Sequence, residues 1–291
     1  MYRVIRPFEF FEPGTLEETL NLLSQRGAEA KILAGGVSLV VDMRLRNLTP
    51  TYVISIQKIP DLDYIEVDSE NSLKIGAMAT LHSLERSKLI REKYPVLYTA
   101  IHKIHSVQAK VMGTAVGNIC TATPASDVAS VLIALGGRVK AVSTASERVI
   151  SVEDFFAGVR QTVLGSDEMV SEIVVPAAPA STGYAFFKLT KTTADIGKLN
   201  VSASVTMDGE TCSDCRVALG SVAPTPMRAR QAEQTLKGQR PDDKTISKVA
   251  EVAAGEAKPI TDVWSTAEYR TEMIKVLVKR AINTAVEGAG Q

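Results

Sequence analysis

The chain has 291 residues, enough for about two domains, is 45% hydrophobic, and balances 33 Lys and Arg against 33 Asp and Glu for a formal net charge of zero. Such a composition buries real cores, and without a Lys/Arg run long enough to form a basic stripe it excludes nucleic acid as an expected partner. The longest uncharged apolar stretch, Val128 to Gly137, falls far short of the ~20 residues of a membrane span, and the segment MYRVIRPFEFFEP lacks the apolar core of a signal peptide. No membrane span is expected, and the cytoplasm is the expected compartment.

In chain order, TLEETLNLLSQRG opens with a capping box from Thr15 to Glu18, sets Leu16, Leu20 and Leu23 on one stripe, and stops at Gly27, which predicts a helix. Lys31 to Ala34 reads as a short strand, Val37 to Arg46 as a helix and Tyr52 to Ile56 as a strand, so the first glycine turn sits inside a βαβ unit. Strands are predicted at Tyr64 to Val67 and Leu73 to Ala77, and helices from Thr80 and over Val96 to Lys103. Pro124 to Leu135 reads as a helix with proline near its first turn, followed by strands at Arg138 to Val142 and Met169 to Val175. The Pro/Ala/Ser-rich PAAPAST, Pro176 to Thr182, reads as a linker. Beyond it, strands at Ala185 to Thr190, Val201 to Met207 and Arg216 to Ser221 and helices at Met227 to Lys237, Lys244 to Ala254 and Thr266 to Glu287 predict a small antiparallel sheet with helices on one face. The fold class is α+β.

Three cysteines, Cys120, Cys212 and Cys215, are an odd number that argues against a disulfide framework, and they are too few to hold a four-thiolate iron–sulfur cluster. Cys212 and Cys215 form a C-x-x-C inside DGETCSDC, which reads as a solvated hairpin turn. His82, His102 and His105 have no metal-ligand spacing.

Two glycine loops carry most of the functional information: KILAGGVSL at positions 31–39 and GTAVGNICTATPASD at positions 113–127. Each reads as a strand running into a tight turn, and a pair of such turns can lay backbone N–H groups against one diphosphate, because glycine tolerates close approach and φ > 0. The polar residues beside them, Ser38, Thr114, Asn118, Thr121, Thr123, Ser126 and Asp127, suit hydrogen bonds to phosphate and ribose. No G-x-S-x-G elbow, H-E-x-x-H, P-loop or Rossmann fingerprint is present, and no acid/base pair stands near the loops. The site is therefore expected to hold a cofactor that brings its own chemistry.

AGGVSLVVDMR resembles the AGG-x-S/T-L segment, and GTAVGNICTATPASD the GTIGGN-x-x-x-x-SPAGD segment, of the FAD-binding medium subunit of molybdenum hydroxylases, the family that includes CO dehydrogenase and xanthine dehydrogenase. The resemblance continues through YAFFKLTKTTADIGKLNVSASV, VALGSVAPTPMRARQAE and AEYRTEMIKVLVKRA, and so spans nearly the whole chain in order. It implies a vanillyl-alcohol-oxidase (PCMH) type FAD-binding domain at 1–178, in two subdomains of about 1–58 and 59–178, and a CO dehydrogenase flavoprotein C-terminal domain at 179–291.

Carried over position by position, the resemblance implies that Ile32, Leu33, Ala34, Gly35, Gly36, Val37, Ser38 and Leu39 wrap one side of a non-covalent FAD diphosphate. Thr114, Val116, Gly117 and Asn118 face it from the other side, Asp127 hydrogen-bonds toward the adenosine half, and Val170 and Lys188 lie near the flavin end. It also implies a large molybdopterin subunit and a small iron–sulfur subunit with 2Fe-2S clusters as partners, in a dimer of heterotrimers. Two positions depart from the pattern: Val116 replaces a glycine, and Lys110 replaces an arginine, keeping the charge but losing the planar fork. Three functional readings follow: an electron-transfer flavoprotein subunit, a free-standing FAD oxidoreductase, and a structural paralogue that has lost the flavin.

Overall fold

The computed structural model describes residues 4–193 and 195–290. Its first layer is a three-stranded parallel sheet in the order β1-β3-β2, built from β1 (Glu9–Phe11), β2 (Ala30–Leu33) and β3 (Tyr52–Ser55). Helix α1 (Leu16–Arg26) connects β1 to β2, and α2 (Leu39–Leu45) connects β2 to β3. At the start of α1 the Thr15 hydroxyl accepts from the Glu18 N–H at 3.1 Å, while the Glu18 carboxylate reaches past Thr15 to the Gly14 N–H at 2.8 Å. Gly27 closes the helix at φ 52°, a conformation that glycine adopts without strain.

A second sheet follows, ordered β4-β5-β10-β6-β7 and antiparallel throughout. Its strands are β4 (Ile65–Val67), β5 (Leu73–Gly76), β6 (Arg138–Val142), β7 (Glu147–Ser151) and, after the small hairpin of β8 (Phe156–Gly158) and β9 (Gln161–Thr162), β10 (Met169–Val175). Between β5 and β6 run six helices: α3 (Leu81–Arg86), α4 (Lys88–Lys93), α5 (Pro95–His102), α6 (Val107–Met112), α7 (Ala115–Cys120) and α8 (Asp127–Ala134). Five of the six start beneath a Ser or Thr cap whose hydroxyl accepts an N–H of the first turn; α5 starts on Pro95 instead. Helices α4, α6 and α7 escape the sequence pattern because each is only six residues long and presents no full apolar stripe.

The C-terminal sheet, β11-β12-β13-β14, consists of β11 (Thr182–Leu189), β12 (Leu199–Asp208), β13 (Thr211–Gly220) and β14 (Met227–Arg228), with α9 (Arg230–Leu236), α10 (Asp243–Glu256) and α11 (Ala267–Ala289) after it. The sheet is covered on both faces rather than one. Along β12, Val201, Ala203 and Val205 join the apolar cluster with α10 and α11, while the alternating Asn200, Ser202 and Ser204 face α8. Ser202 donates to Ser130 at 3.1 Å, Ser204 to the Ala134 carbonyl at 2.9 Å, and Asn200 to Asp127 at 3.0 Å. Every residue of α8 is buried as a result.

The C-x-x-C is also corrected. The β12–β13 turn is made by Gly209 and Glu210, and both cysteines belong to β13. A β-bulge at Ser213 breaks the pleat alternation between Cys212 and Cys215, so both thiols face the core, 0% and 3% exposed. Among the described residues no helix is long and apolar enough to cross a membrane, and no cluster of His, Cys, Asp and Glu has the arrangement of a metal site.

Candidate functional site: a cleft between two glycine loops

The first loop leaves β2 through Ala34, Gly35 and Gly36 and enters α2 at Ser38. Gly35 packs directly on the second loop: a Cβ there would lie 1.5 Å from the Met112 carbonyl oxygen and 3.0 Å from Gly113 Cα. Gly36 turns at φ +73°. Gln57 steadies the loop by donating from Nε2 to the Ala34 carbonyl at 2.7 Å. The N–H groups of Gly35, Gly36, Val37 and Ser38 meet no backbone acceptor among the described residues.

The second loop differs from its sequence reading as a strand entering a turn. It is a helix–bridge–helix: α6 ends at Met112, Thr114 forms a single antiparallel bridge with Thr80, and α7 begins at once. Thr114 caps α7 by accepting from the Gly117 N–H at 2.9 Å. The Ser126 hydroxyl donates to Asn118 Oδ1 at 2.7 Å, which leaves the Asn118 amide NH2 free to donate elsewhere. Thr121 donates to Ser38 at 3.2 Å, a direct tie between loops 83 residues apart.

Between the loops lies a cleft of about 900 Å³, at the upper end of the range for cofactor pockets. Ile32, Ala34 to Leu39, Thr114, Val116, Gly117, Asn118 and Val170 all line it. Val170 comes from the β-bulge in β10, a device that re-aims side chains. Leu33 does not line the cleft, because strand alternation turns it to the opposite face from Ile32 and Ala34. Asp127 and Lys188 do not line it either. They form a buried ion pair, Nζ to Oδ2 at 2.7 Å, with both side chains under 8% exposed, across the seam between α8 and β11. Burial pushes the Asp127 carboxyl up and the Lys188 ammonium pulls it back.

The two departures have local explanations. Val116 is the second residue of α7, buried at 5% exposure and at negative φ, so a β-branched side chain is unstrained there. Lys110 turns away from the cleft to Glu85 at 2.8 Å, and His102 meets the same carboxylate at 2.9 Å. Burial alone would raise the Glu85 carboxyl, but the hydrogen bonds from Lys110 and His102 outweigh it and hold it below its usual 4.5. A depressed folded-state value means that the unfolded chain binds the extra proton, so this stabilisation is complete above the ordinary carboxylate range and is lost as pH falls through the depressed value. Glu85→Gln is therefore expected to cost about 1–3 kcal/mol at neutral pH by stranding the buried Lys110. Urea melts at neutral and acidic pH check this: the gap between wild type and variant closes on acidification.

Sequence reading missed Asp42, Arg160, Cys120 and Glu168, all of which line the cleft. Arg160, at φ 59°, donates its N–H at 2.8 Å to the carbonyl of Ala122, itself at φ 49°, and its guanidinium pairs with Asp42 of α2. Two strained non-glycine residues thus meet at the rim, a signature of functional sites that no local motif announces. Glu168 is held bidentately by Arg148 at 2.7 Å. Burial pushes the Cys120 thiol up to about 12, so it stays protonated and is a poor nucleophile toward a flavin ring.

A cleft walled on one side by the N–H groups of Gly35 to Ser38 and on the other by Thr114, Gly117 and the Asn118 amide has the donors of a site for a diphosphate-bearing cofactor. Residues 6–178 match the family model described as the FAD binding domain in molybdopterin dehydrogenase, and residues 184–285 match the CO dehydrogenase flavoprotein C-terminal domain. The chain is 33% identical over 278 residues to the carbon monoxide dehydrogenase medium chain of Hydrogenophaga pseudoflava, covering 96% of each. It is 27% identical to the xanthine dehydrogenase FAD-binding subunit of Escherichia coli O157:H7, covering 97% of each. The crystal structure of the Hydrogenophaga pseudoflava CO dehydrogenase that lacks the Mo-pyranopterin moiety superposes with a TM-score of 0.93 at 34% identity, over 97% of this chain and 98% of that one. The chain belongs to the family of FAD-binding medium subunits of molybdenum hydroxylases, and its fold is that family's FAD-binding domain followed by the flavoprotein C-terminal domain. It is a flavoprotein subunit of an oxidoreductase, with FAD as its cofactor.

Proposed function

We propose that the chain holds one FAD non-covalently in the cleft and relays electrons from 2Fe-2S clusters on a small subunit, supplied by a large molybdopterin subunit, to an external acceptor. The assembly is a cytoplasmic dimer of heterotrimers, and this chain contributes residues 1–178 as the FAD-binding domain, subdivided near residue 58, and 179–291 as the C-terminal domain. FAD, when bound, supplies the redox chemistry. The residues of the chain bind and orient it.

The observation that carries this reading is the row of unpaired N–H groups from Gly35 to Ser38, set across the cleft from Gly117 and the free amide of Asn118. Those donors suit a diphosphate, with Ile32, Ala34 and Leu39 beside them, Thr114 and Val116 on the opposite wall, and Val170 at the flavin end. Leu33 shapes the loop from behind. Asp127 and Lys188 brace the cleft through their neighbours: Ser126 fixes Asn118, and the Lys103 carbonyl that faces Lys188 at 3.4 Å precedes the cleft residue Ile104.

Two results test the proposal. Acid precipitation releases the flavin into the supernatant, because Cys120 stays a thiol and the loops offer no other attachment; a yellow pellet contradicts this. Alone, the chain passes electrons from an artificial donor to a dye, and substrate oxidation appears only when the partner subunits are added.

A further inference from the structure

Two carboxylates line the cleft, Asp42 and Glu168, and each meets an arginine: Arg148 holds Glu168 through Nε and Nη2, both at 2.7 Å, and Arg160 pairs with Asp42. Asp42 follows Ser38 by one turn of α2, on the same face, and its N–H donates to the Ser38 carbonyl at 2.9 Å. A bare carboxylate at that point repels any anion held by the N–H groups of Gly35 to Ser38. The Asp42 side chain is nearly buried and has two partners, Arg160 at Oδ2 and Asn47, whose Nδ2 donates to Oδ1 at 3.1 Å. Only the arginine brings a countercharge.

Arg160 stands in the turn between β8 and β9 at φ 59°, a left-handed conformation that glycine or asparagine adopts with less strain. Its N–H donates at 2.8 Å to the carbonyl of Ala122, two residues beyond α7, which anchors the turn to the segment of the second glycine loop. From there the guanidinium reaches α2, the helix that follows the first loop. We propose that Arg160 is a positioning residue for the cofactor, acting through Asp42: it cancels the Asp42 charge, so that the loop donors meet an anionic diphosphate with no competing carboxylate beside it. This rests on the reading of the cleft as the FAD site given above. Charge masking gives the two partners opposite effects. Removing the arginine bares the carboxylate, whereas neutralising the aspartate frees a half-exposed guanidinium beside the cleft to attract the diphosphate. A pair that only braced the fold would weaken binding whichever partner was removed.

The test titrates FAD into flavin-depleted full-length chain and follows flavin fluorescence, for wild type, R160Q, D42N and D42N/R160Q, each at low and high salt. Thermal melts of the four flavin-free chains establish that they are folded. R160Q is expected to bind FAD roughly tenfold more weakly, with the deficit shrinking as salt screens the bared carboxylate. D42N binds more tightly than wild type, and D42N/R160Q returns to within about threefold of it, the non-additivity of a coupled pair. Unchanged affinity in R160Q overturns the inference, as does a double variant as weak as R160Q. If R160Q fails to fold, D42N decides: tighter binding than wild type supports charge masking, and weaker or equal binding overturns it. A folded wild-type chain that takes up no FAD removes the FAD reading and this inference together.

Discussion

Gly35→Val will strip the flavin from the protein, whereas Gly209→Val will leave it in place. The first substitution puts a Cβ 1.5 Å from the Met112 carbonyl oxygen and 2.5 Å from its carbon, both backbone atoms that cannot swing aside as a side chain can. The two loops must separate, and the N–H groups of Gly35 to Ser38 lose their aim across the cleft. Misplacing this set of donors should cost at least about 3 kcal/mol in binding, a hundredfold or more in Kd. Gly209 offers the matched control, since its φ is +57° and nothing lies within 4 Å of its Cβ position. Valine there costs about 1–2 kcal/mol of backbone strain, without touching the cleft. Flavin absorbance per chain after gel filtration separates the two; equal retention would remove Gly35 from the site.

The second large effect is on stability. Lys188→Met leaves Asp127 buried with only Asn200 to donate to it, and breaking a buried pair in this way costs about 3–5 kcal/mol. For a chain of this size that lowers Tm by roughly 10 °C. Burial already raises the Asp127 carboxyl, and loss of Lys188 raises it further. A folded-state value above the unfolded one means that the native state binds the extra proton, so the variant gains stability as pH falls through the raised value and loses it as pH rises. Adding Asp127→Asn to Lys188→Met should recover most of the loss at neutral pH, because a neutral amide tolerates the seam. Calorimetry of the single and double variants checks both signs, and a double variant no more stable than Lys188→Met would show that the pair is not the source of the cost.

How much of this was legible in the chain depends on how local each signal is. The α1 cap, the βαβ unit with Gly35 and Gly36 at its turn, and the long α10 and α11 stripes announce themselves within a dozen residues. Asn200, Ser202 and Ser204 mislead, because a polar stripe on a strand normally faces water and here it meets the polar edge of α8. Cys212 and Cys215 mislead for the same reason in reverse: a bulge of one residue turns a surface spacing into a core spacing. The second glycine loop was found but its conformation was not, since six-residue helices leave no periodicity to read. Asp127 and Lys188 lie 61 residues apart, and Asp42 and Arg160 lie 118 apart; only the fold brings such partners together.

In the proposed assembly this chain carries electrons without oxidising the organic substrate itself. Anaerobic flavin spectra test it most directly, taken on the free chain and on the complex with its iron–sulfur and molybdopterin subunits while each is offered the substrate of the whole enzyme. One FAD per chain is expected, unbleached in the free chain and promptly bleached in the complex. Bleaching of the free chain's flavin by a purine, an aldehyde or CO, with no partner present, would contradict it.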